Sequence, residues 1–282
     1  MTFGPGLLQA NDDIKLTNTT NSDFTASLKL VNFNSLENYG GISFQQAGTP
    51  LAKYGLANWM SLPNGSTVTI PKGQTVTVPI LVQNRDDLTP GGHYGAVVIT
   101  GQASDGGTVV DGGKLGLNQQ LVSLIFLKKL GGDISGLSLD RLDFTKSYAI
   151  PTTVNLMFRS TGNVYVVPRG YVTVTDPKGK LIAKGIINTD SEFIIQGTSR
   201  QLVALMQPVN DASLAGRYAV TAYYRYDGQT GFNKKTVYFT RGRVSPQTVI
   251  TLSLTGVIFL IMLYLTHRFR HSKSGFRPKK RA

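Results

Sequence analysis

Short stretches of alternating apolar and polar residues recur along the chain from residue 14 to residue 240, separated by turn-forming glycine, proline, asparagine and aspartate. Two of the clearest are STVTIPKGQTVTVPILV, near residue 70, and RYAVTAYYRY, near residue 220. Successive side chains of a β-strand point to opposite faces, so this alternation predicts strands with one buried face. Regularly spaced short strands predict an all-β fold of the immunoglobulin-like sandwich type.

The strand pattern occurs twice. Gly73 and Tyr94 flank an alternating run, and Gly197 and Tyr218 flank a second run at the same separation. After each tyrosine the next strand alternates again, as Ala96, Val98, Thr100 and as Val220, Ala222, Tyr224. A fixed separation without gaps is typical of a duplicated unit.

The duplication predicts two tandem immunoglobulin-like β-sandwiches, residues 1–131 and residues 132–243. The boundary between them falls where LKKLGGD ends the apolar run LVSLIFL. We expect the first strand of the first sandwich to be truncated, and we expect extra residues in that sandwich around NYGGISFQQAGTPLAKYGLANWMSLP.

The glycine and tyrosine that open the late strand of each sandwich are predicted to be structural. In immunoglobulin-like sandwiches a tyrosine here often forms a hydrogen bond back to an earlier loop, and glycine permits the sharp entry into the strand. His93 aligns with Arg217, which indicates an outward-facing position that accepts either cation. The structural residues predicted on this basis are Gly92, Tyr94, Gly216 and Tyr218.

Residues 246–266 include TVITLSLTGVIFLIMLYLT, which carries no charge and predicts a transmembrane helix. The following residues, 267–282, form a basic tail. The positive-inside rule places such a tail in the cytoplasm and the residues before the helix outside the cell, and basic tails attract anionic lipids. We therefore expect a single-pass protein of the cell membrane. No signal sequence precedes the sandwiches, so we expect the natural chain to begin upstream.

The net charge of +13 is concentrated at one end of the chain, since seven of the 29 Lys and Arg residues lie in the tail after residue 267. A nucleic-acid-binding face would instead require clustered basic residues on a folded surface. We therefore expect no nucleic-acid partner. The absence of cysteine excludes a disulfide-stapled scaffold, so each sandwich must depend on its own core.

Catalytic chemistry is not indicated. A nucleophile relay needs a neighbouring base, and His93 is the only histidine before residue 266. One histidine without cysteine does not supply a zinc site, and the acidic pairs Asp12-Asp13 and Asp86-Asp87 are typical of turns. The Asp-Gly turns near residues 105–113 and 227–231 leave calcium binding open. We expect no enzyme activity, no cofactor and no metal site.

Aromatic side chains are the best candidates for contacts with a ligand or partner. Trp59, Tyr39 and Tyr54 lie in the extra segment of the first sandwich, and long insertions on rigid sandwiches commonly carry recognition. Tyr223 lies on the strand face opposite Tyr218 and is a candidate surface aromatic. A core role for Trp59 is the main alternative.

Several of these features together resemble a bacterial family. The lone tryptophan, IPKGQTVTVPILV, PGGHYGAVV, RSTGNVYVVPRGYVTV and the terminal apolar segment with its basic tail resemble the WxL-interacting surface proteins of Gram-positive bacteria. The resemblance implies an N-terminal peptidoglycan-binding immunoglobulin-like domain, a second such domain that binds a surface protein, and a C-terminal anchor. It identifies no individual wall-binding residues.

The sequence thus predicts a membrane-anchored binding protein of the bacterial cell surface that attaches without covalent bonds to peptidoglycan, to another wall polymer or to a partner surface protein. One alternative is an accessory subunit of a membrane complex, with the sandwiches as spacers. A second alternative is a polysaccharide hydrolase, which would need two carboxylates roughly 5–10 Å apart in a cleft.

Overall fold

A computed structural model describes residues 1–36, 40–46, 54–103, 108–110, 113–115, 119–145, 149–212, 214–242 and 246–272. The strands up to residue 131, here called the N-terminal half, are β1 (Thr2–Phe3), β2 (Gln9–Thr17), β3 (Phe24–Ser35), β4 (Ile42–Gln46), β5 (Met60–Ser61), β6 (Thr67–Ile70), β7 (Thr75–Gln83), β8 (Gly91–Ala103), β9 (Thr108–Val110), β10 (Gly113–Leu115) and β11 (Gln119–Lys129). The strands of residues 132–242, the C-terminal half, are β12 (Leu137–Asp143), β13 (Thr153–Ser160), β14 (Pro168–Thr175), β15 (Leu181–Ile187), β16 (Ser199–Pro208), β17 (Gly216–Tyr226) and β18 (Asn233–Arg241).

Two sheets build most of the N-terminal half. The larger has the order β1-β11-β8-β3-β4, with β6 also paired to β3, and the smaller has the order β2-β7-β5. The alternation along β7 puts Val78, Ile80 and Val82 on the buried face, as period-two patterning requires. These side chains pack with Leu28 and Val97 of the larger sheet, and the core lies between the two sheets.

One seven-stranded sheet builds the C-terminal half, in the order β12-β13-β16-β15-β14-β17-β18. Strand β16 pairs with β13 along most of its length and with β15 only near its end, so it connects two parts of the sheet. The buried faces of both parts supply one core, which includes Leu156, Phe158, Val172, Leu202 and Val220. Apart from the β9–β10 hairpin, every described strand belongs to one of these three sheets, and the prediction of an all-β fold is confirmed for the described residues.

The duplicated turns adopt the same backbone shape. Gly73 has a φ of 68° and Gly197 a φ of 72°, values that glycine adopts without steric cost. In each turn the fourth residue donates its N–H to the carbonyl of the first, Gln74 to Pro71 at 3.0 Å and Thr198 to Ile195 at 3.2 Å. The repeat read from the sequence is therefore visible in the backbone at this turn.

A helix, α1 (Pro246–Ser272), follows the C-terminal half. Within the residues that the structure describes, no helix combines the length and apolarity needed to span a membrane. The predicted transmembrane helix at 246–266 is thus not shown, and the predicted single-pass membrane localisation is wrong on this finding. The predicted tail at 267–282 lies largely outside the described residues.

Candidate functional site at the β11 edge and the junction of the halves

The junction between the two halves includes two of the four residues that were predicted to be structural, Gly92 and Tyr94. Tyr94 is fully buried, and its hydroxyl donates a hydrogen bond to the side-chain oxygen of Gln196 in the C-terminal half. The side-chain nitrogen of Gln196 donates in turn to the carbonyl of Gly92 at 2.8 Å. Burial raises the pKa of the Tyr94 phenol well above its usual value, so the hydroxyl stays protonated and acts as the donor.

A second set of hydrogen bonds links the halves beside Tyr94. The N–H of Gly92 donates to the carbonyl of Asn163 at 2.8 Å, and the Asn163 side chain donates to the carbonyl of Gly132 at 2.8 Å. The N–H of Ile134 donates to the Asn163 side-chain oxygen at 2.6 Å. A Cβ on Gly92 would lie 2.6 Å from the Tyr94 hydroxyl, so only glycine fits at this position.

Aromatic rings fill the space around these hydrogen bonds. Phe126 of β11 lies 4.8 Å from Phe193 and 5.1 Å from Tyr165, measured between ring centroids, and all three rings meet edge to face. Tyr94 and Phe33 extend the cluster into the N-terminal half. Edge-to-face contacts add about 0.5–1.5 kcal/mol to the burial of each pair, so the halves are joined by a packed interface and not only by the connecting segment.

His93 does not face outward, which corrects the sequence interpretation. Only 2% of its surface is exposed, and its Nε2–H donates to the carbonyl of Thr89 at 2.7 Å. Burial lowers the pKa of His93, so the ring is held in its neutral form. Its counterpart Arg217 is exposed and lies 3.8 Å above the ring of Tyr238. The two aligned positions therefore differ in environment.

The other predicted site residues lie in different places. The indole N–H of Trp59 donates to Asp87 at 3.0 Å, which lowers the pKa of that carboxyl, and the ring packs against the N-terminal core. Tyr54 packs against the junction cluster, and Tyr223 stacks on Tyr171 in the C-terminal half at 5.0 Å. Tyr39 lies outside the described residues. A binding role for Tyr39, Tyr54, Trp59 and Tyr223 stays a prediction.

Tyr218 keeps its hydrogen bond within its own half. Its hydroxyl donates to the carbonyl of Leu214 at 2.7 Å, and its ring stacks on Phe239. Gly216 has a φ of 135°, and a Cβ there would lie 2.8 Å from Pro177. Gln196 and Asn163 could not be identified from the sequence, because polar side chains that join the two halves have no recognisable spacing.

The outer edge of β11 is paired over only a small part of its length. Strand β11 pairs with β8 along its whole length, from Gln119 opposite Gly101 to Lys129 opposite Gly91. On its other side it pairs only at Lys128 and Lys129, which lie opposite the two residues of β1. Met1 extends this contact, because its N-terminal ammonium donates to the Phe126 carbonyl at 2.9 Å. Along residues 119–125 the edge has no strand partner within the described part of the chain.

The side chains of β11 change from buried to exposed along the strand. Ile125 and Leu127 belong to the N-terminal core and Phe126 to the junction, whereas Leu121 is 63% exposed and Val122 is 40% exposed. Beside Leu121 a crevice of about 190 Å³ opens between the two sheets. Its apolar lining is formed by Leu16, Phe24, Ala26, Ile70, Ile99 and Leu121.

Near the other end of β11 a cleft of about 310 Å³ lies at the junction. Lys128 and Asp227 contribute charged side chains to the cleft. Lys128 forms a salt bridge with Asp133 at 2.6 Å. Asp227 forms one with Arg169 at 3.0 Å. The salt bridge lowers the pKa of Asp133. Among the described residues no group of three or more His, Asp or Glu side chains is placed to hold a metal ion.

Comparisons with known proteins find similarity only at the level of solved structures. No family model matches the chain, and no curated protein matches it. A chaperone–tip adhesin complex of CFA/I fimbriae matches at a TM-score of 0.44 and 9% identity over 86% of this chain and 95% of the other. The class 5 fimbriae chaperone CfaA matches at a TM-score of 0.44 and 10% identity, over 84% and 93% of the two chains. The CsuC–CsuE chaperone–tip subunit complex of Acinetobacter baumannii matches at a TM-score of 0.37 and 7% identity, over 81% and 90%.

These findings correct the resemblance stated from the sequence. The three solved structures named above are a fimbrial chaperone and two chaperone–tip subunit complexes and not WxL-interacting surface proteins, so that identification was wrong. The predicted function of a membrane-anchored wall-binding protein was wrong with it, and so were the predicted peptidoglycan, wall-polymer and lipid partners. The motifs quoted for the resemblance are strand and turn sequences that different β-sandwich proteins share. At these identities and TM-scores the likeness identifies no ligand, partner or activity of this chain.

Proposed function

We propose that the chain binds an extended segment of a partner polypeptide, which adds as a new strand along the outer edge of β11. The observation that carries this proposal is the strand edge at residues 119–125, where exposed Leu121 and Val122 lie beside a row of backbone groups without a strand partner. Main-chain hydrogen bonds would supply affinity, and pockets for alternate side chains would supply specificity.

The sequence of the edge supports this use. Proteins usually protect an exposed edge strand with charged side chains, proline or a bulge, since an unprotected edge pairs with other chains. The stretch LVSLIFL at residues 121–127 contains no charge and no proline, and the pairing of β11 with β8 is continuous. The crevice beside Leu121 offers space for one apolar side chain of the added strand.

We further propose that the strands form two tandem immunoglobulin-like sandwiches, residues 1–131 and 132–243, and that the protein is not an enzyme. The pairing of strands within each half supports the division. Two of the similar solved structures are chaperone–subunit complexes. Strand addition at β11 is likewise the binding of another polypeptide. The proposal of strand addition depends on the geometry of the β11 edge.

Binding of a short peptide of alternating valine and threonine tests the proposal, measured by fluorescence anisotropy with a labelled peptide. Val122→Lys and Leu121→Lys place a charge on the edge and should weaken binding about tenfold or more. The matched control is Leu8→Lys, which changes an exposed leucine away from β11 and should bind as the wild type does. Equal binding by all four proteins would contradict strand addition at β11.

A further inference from the structure

A second surface lies on the outer face of the C-terminal sheet, where apolar side chains continue across neighbouring strands. Tyr171 of β14 lies opposite Ile186 of β15 and opposite Tyr223 of β17. Leu205 of β16 follows beside Ile186, where Gly185 pairs with Met206. We call this surface the apolar stripe, and its residues are Val203, Leu205, Ile186, Tyr171, Tyr223 and Phe232.

One end of the apolar stripe is a groove. Strands β15 and β16 pair over three residue pairs and then separate, because β16 turns to pair with β13. The groove between them measures about 650 Å³, and Ile186 and Leu205 in its walls are 63% and 69% exposed. A contiguous exposed apolar surface of this kind is typical of an interaction site.

The other end of the stripe is an aromatic platform with basic side chains. Tyr171 stacks on Tyr223 at 5.0 Å and meets Phe232 at 5.8 Å. The Lys184 ammonium lies 4.7 Å from the centre of the Tyr171 ring, and the Arg225 guanidinium lies 4.9 Å from the centre of the Phe232 ring.

The rim of the stripe has an excess of positive charge. Lys234 lies opposite Tyr223, and neither Lys184, Arg225 nor Lys234 forms an ion pair with another described residue. Asp190 is the one acidic residue that lines the groove. Positive charge around an apolar centre favours a partner with acidic groups around apolar ones. It disfavours a second copy of this chain on the same face, because like charges would meet.

We propose that the apolar stripe docks a polypeptide segment of a partner protein, one that presents aliphatic or aromatic side chains flanked by aspartate or glutamate. The apolar side chains enter the groove and lie on the tyrosines, and the carboxylates face Lys184, Arg225 and Lys234. This surface belongs to the C-terminal half, and strand addition at β11 in the N-terminal half does not depend on it.

Selection of peptides from a random display library against the full chain tests the proposal, with Ile186→Asn/Leu205→Asn as the counter-selection target. Both residues are mostly exposed, so the double variant should keep the wild-type melting temperature. Selected peptides should combine apolar and acidic residues and bind the double variant at least about tenfold more weakly. Their binding to wild type should weaken as salt rises. The matched control is Leu8→Asn/Ile134→Asn, which alters two exposed apolar residues elsewhere and should bind as wild type does.

Three results would overturn the proposal. Peptides that bind the wild type and the stripe variant alike would place the contact elsewhere. Competition by poly-glutamate as strong as by the selected peptides would show that charge alone is recognised. Self-association in sedimentation experiments that the stripe variant abolishes would identify a second copy of the chain as the occupant.

Discussion

Tyr94 and Tyr218 occupy matching positions in the repeated sequence pattern, yet their hydroxyls have different partners. The Tyr218 hydroxyl donates to Leu214, four residues earlier in the same half. The Tyr94 hydroxyl donates to Gln196 in the other half of the protein. Both side chains are fully buried, so the difference lies in their contacts and not in the depth of burial. The Tyr94 ring meets Tyr165 of the other half, whereas the Tyr218 ring stacks on Phe239 of its own half.

The comparison shows how one repeated unit can acquire two roles. Gly73 and Gly197 keep the turn before each strand in the same shape, because a positive φ is required in both. In the second copy the residue before that glycine, Gln196, joins the junction, whereas in the first copy Lys72 bonds through its backbone to Asp23 at 3.0 Å. The backbone of the repeat is retained, and the side chains at the turn decide which surface becomes the junction.

The largest expected effect comes from removing the rings. Tyr94→Ala and Tyr218→Ala should each lower the free energy of unfolding by about 3–5 kcal/mol, the usual cost of deleting a buried aromatic side chain. Tyr94→Ala should in addition separate unfolding into two transitions, because it removes the hydrogen bond and aromatic contacts between the halves. Urea denaturation followed by circular dichroism and by Trp59 fluorescence measures both effects. Two transitions in Tyr218→Ala alone would reverse the assignment of the two tyrosines.

Removing only the hydroxyls should lower the free energy of unfolding by less than removing the rings, and by different amounts for the two tyrosines. Tyr94→Phe leaves the buried Gln196 oxygen without its donor and should cost about 1–3 kcal/mol, whereas Tyr218→Phe should cost about 0.5–1.5 kcal/mol because Leu214 is partly exposed. Differential scanning calorimetry of the two variants provides the comparison. A Tyr218→Phe cost larger than that of Tyr94→Phe would contradict the junction as described.

The two turn glycines should respond alike. Gly73→Ala and Gly197→Ala force a side chain into the left-handed region, which costs about 1–2 kcal/mol, and in both cases the added Cβ meets open space. Equal shifts in the midpoint of urea unfolding are therefore expected. A clearly larger shift for one glycine would mean that the two turns are not equivalent.

The smallest effect is a pH dependence from His93. Its pKa in the folded state is lowered from 6.5 by burial, so the unfolded state binds a proton that the folded state does not. The stability should therefore decrease as the pH falls below about 6.5. His93→Gln keeps a side-chain donor for the Thr89 carbonyl and should flatten this part of the curve. An unchanged slope between pH 7 and about 5 would show that His93 is not responsible.

Part of this arrangement could be predicted from the sequence. The alternation in β7 and β17 and the shared turn glycines predicted the strands and their repeat, because these follow from the local chain. The burial of His93 could not be predicted from the sequence, since it depends on tertiary contacts of the ring with Thr89 and Trp59. The β11 edge has one signal in the sequence, the run LVSLIFL, which lacks the charged residues and proline that usually protect an exposed strand edge.

The terminal apolar segment and the motifs of the family resemblance led to incorrect predictions, because both are features of the local sequence. Apolar residues from 248 to 266 satisfy the sequence rule for a membrane span, but the described helix does not meet it. Similarly, IPKGQTVTVPILV and PGGHYGAVV report how strands begin and end, and such sequences carry no information about a ligand.

Amide hydrogen exchange along β11 tests the central claim most directly. With the alternating valine–threonine peptide present, every second amide of residues 119–125, those that point away from β8, should exchange more slowly. The amides that already bond to β8 should change little, and the outer face of the C-terminal half should not change. Protection elsewhere in the chain without this alternating pattern on β11 would contradict strand addition at its edge.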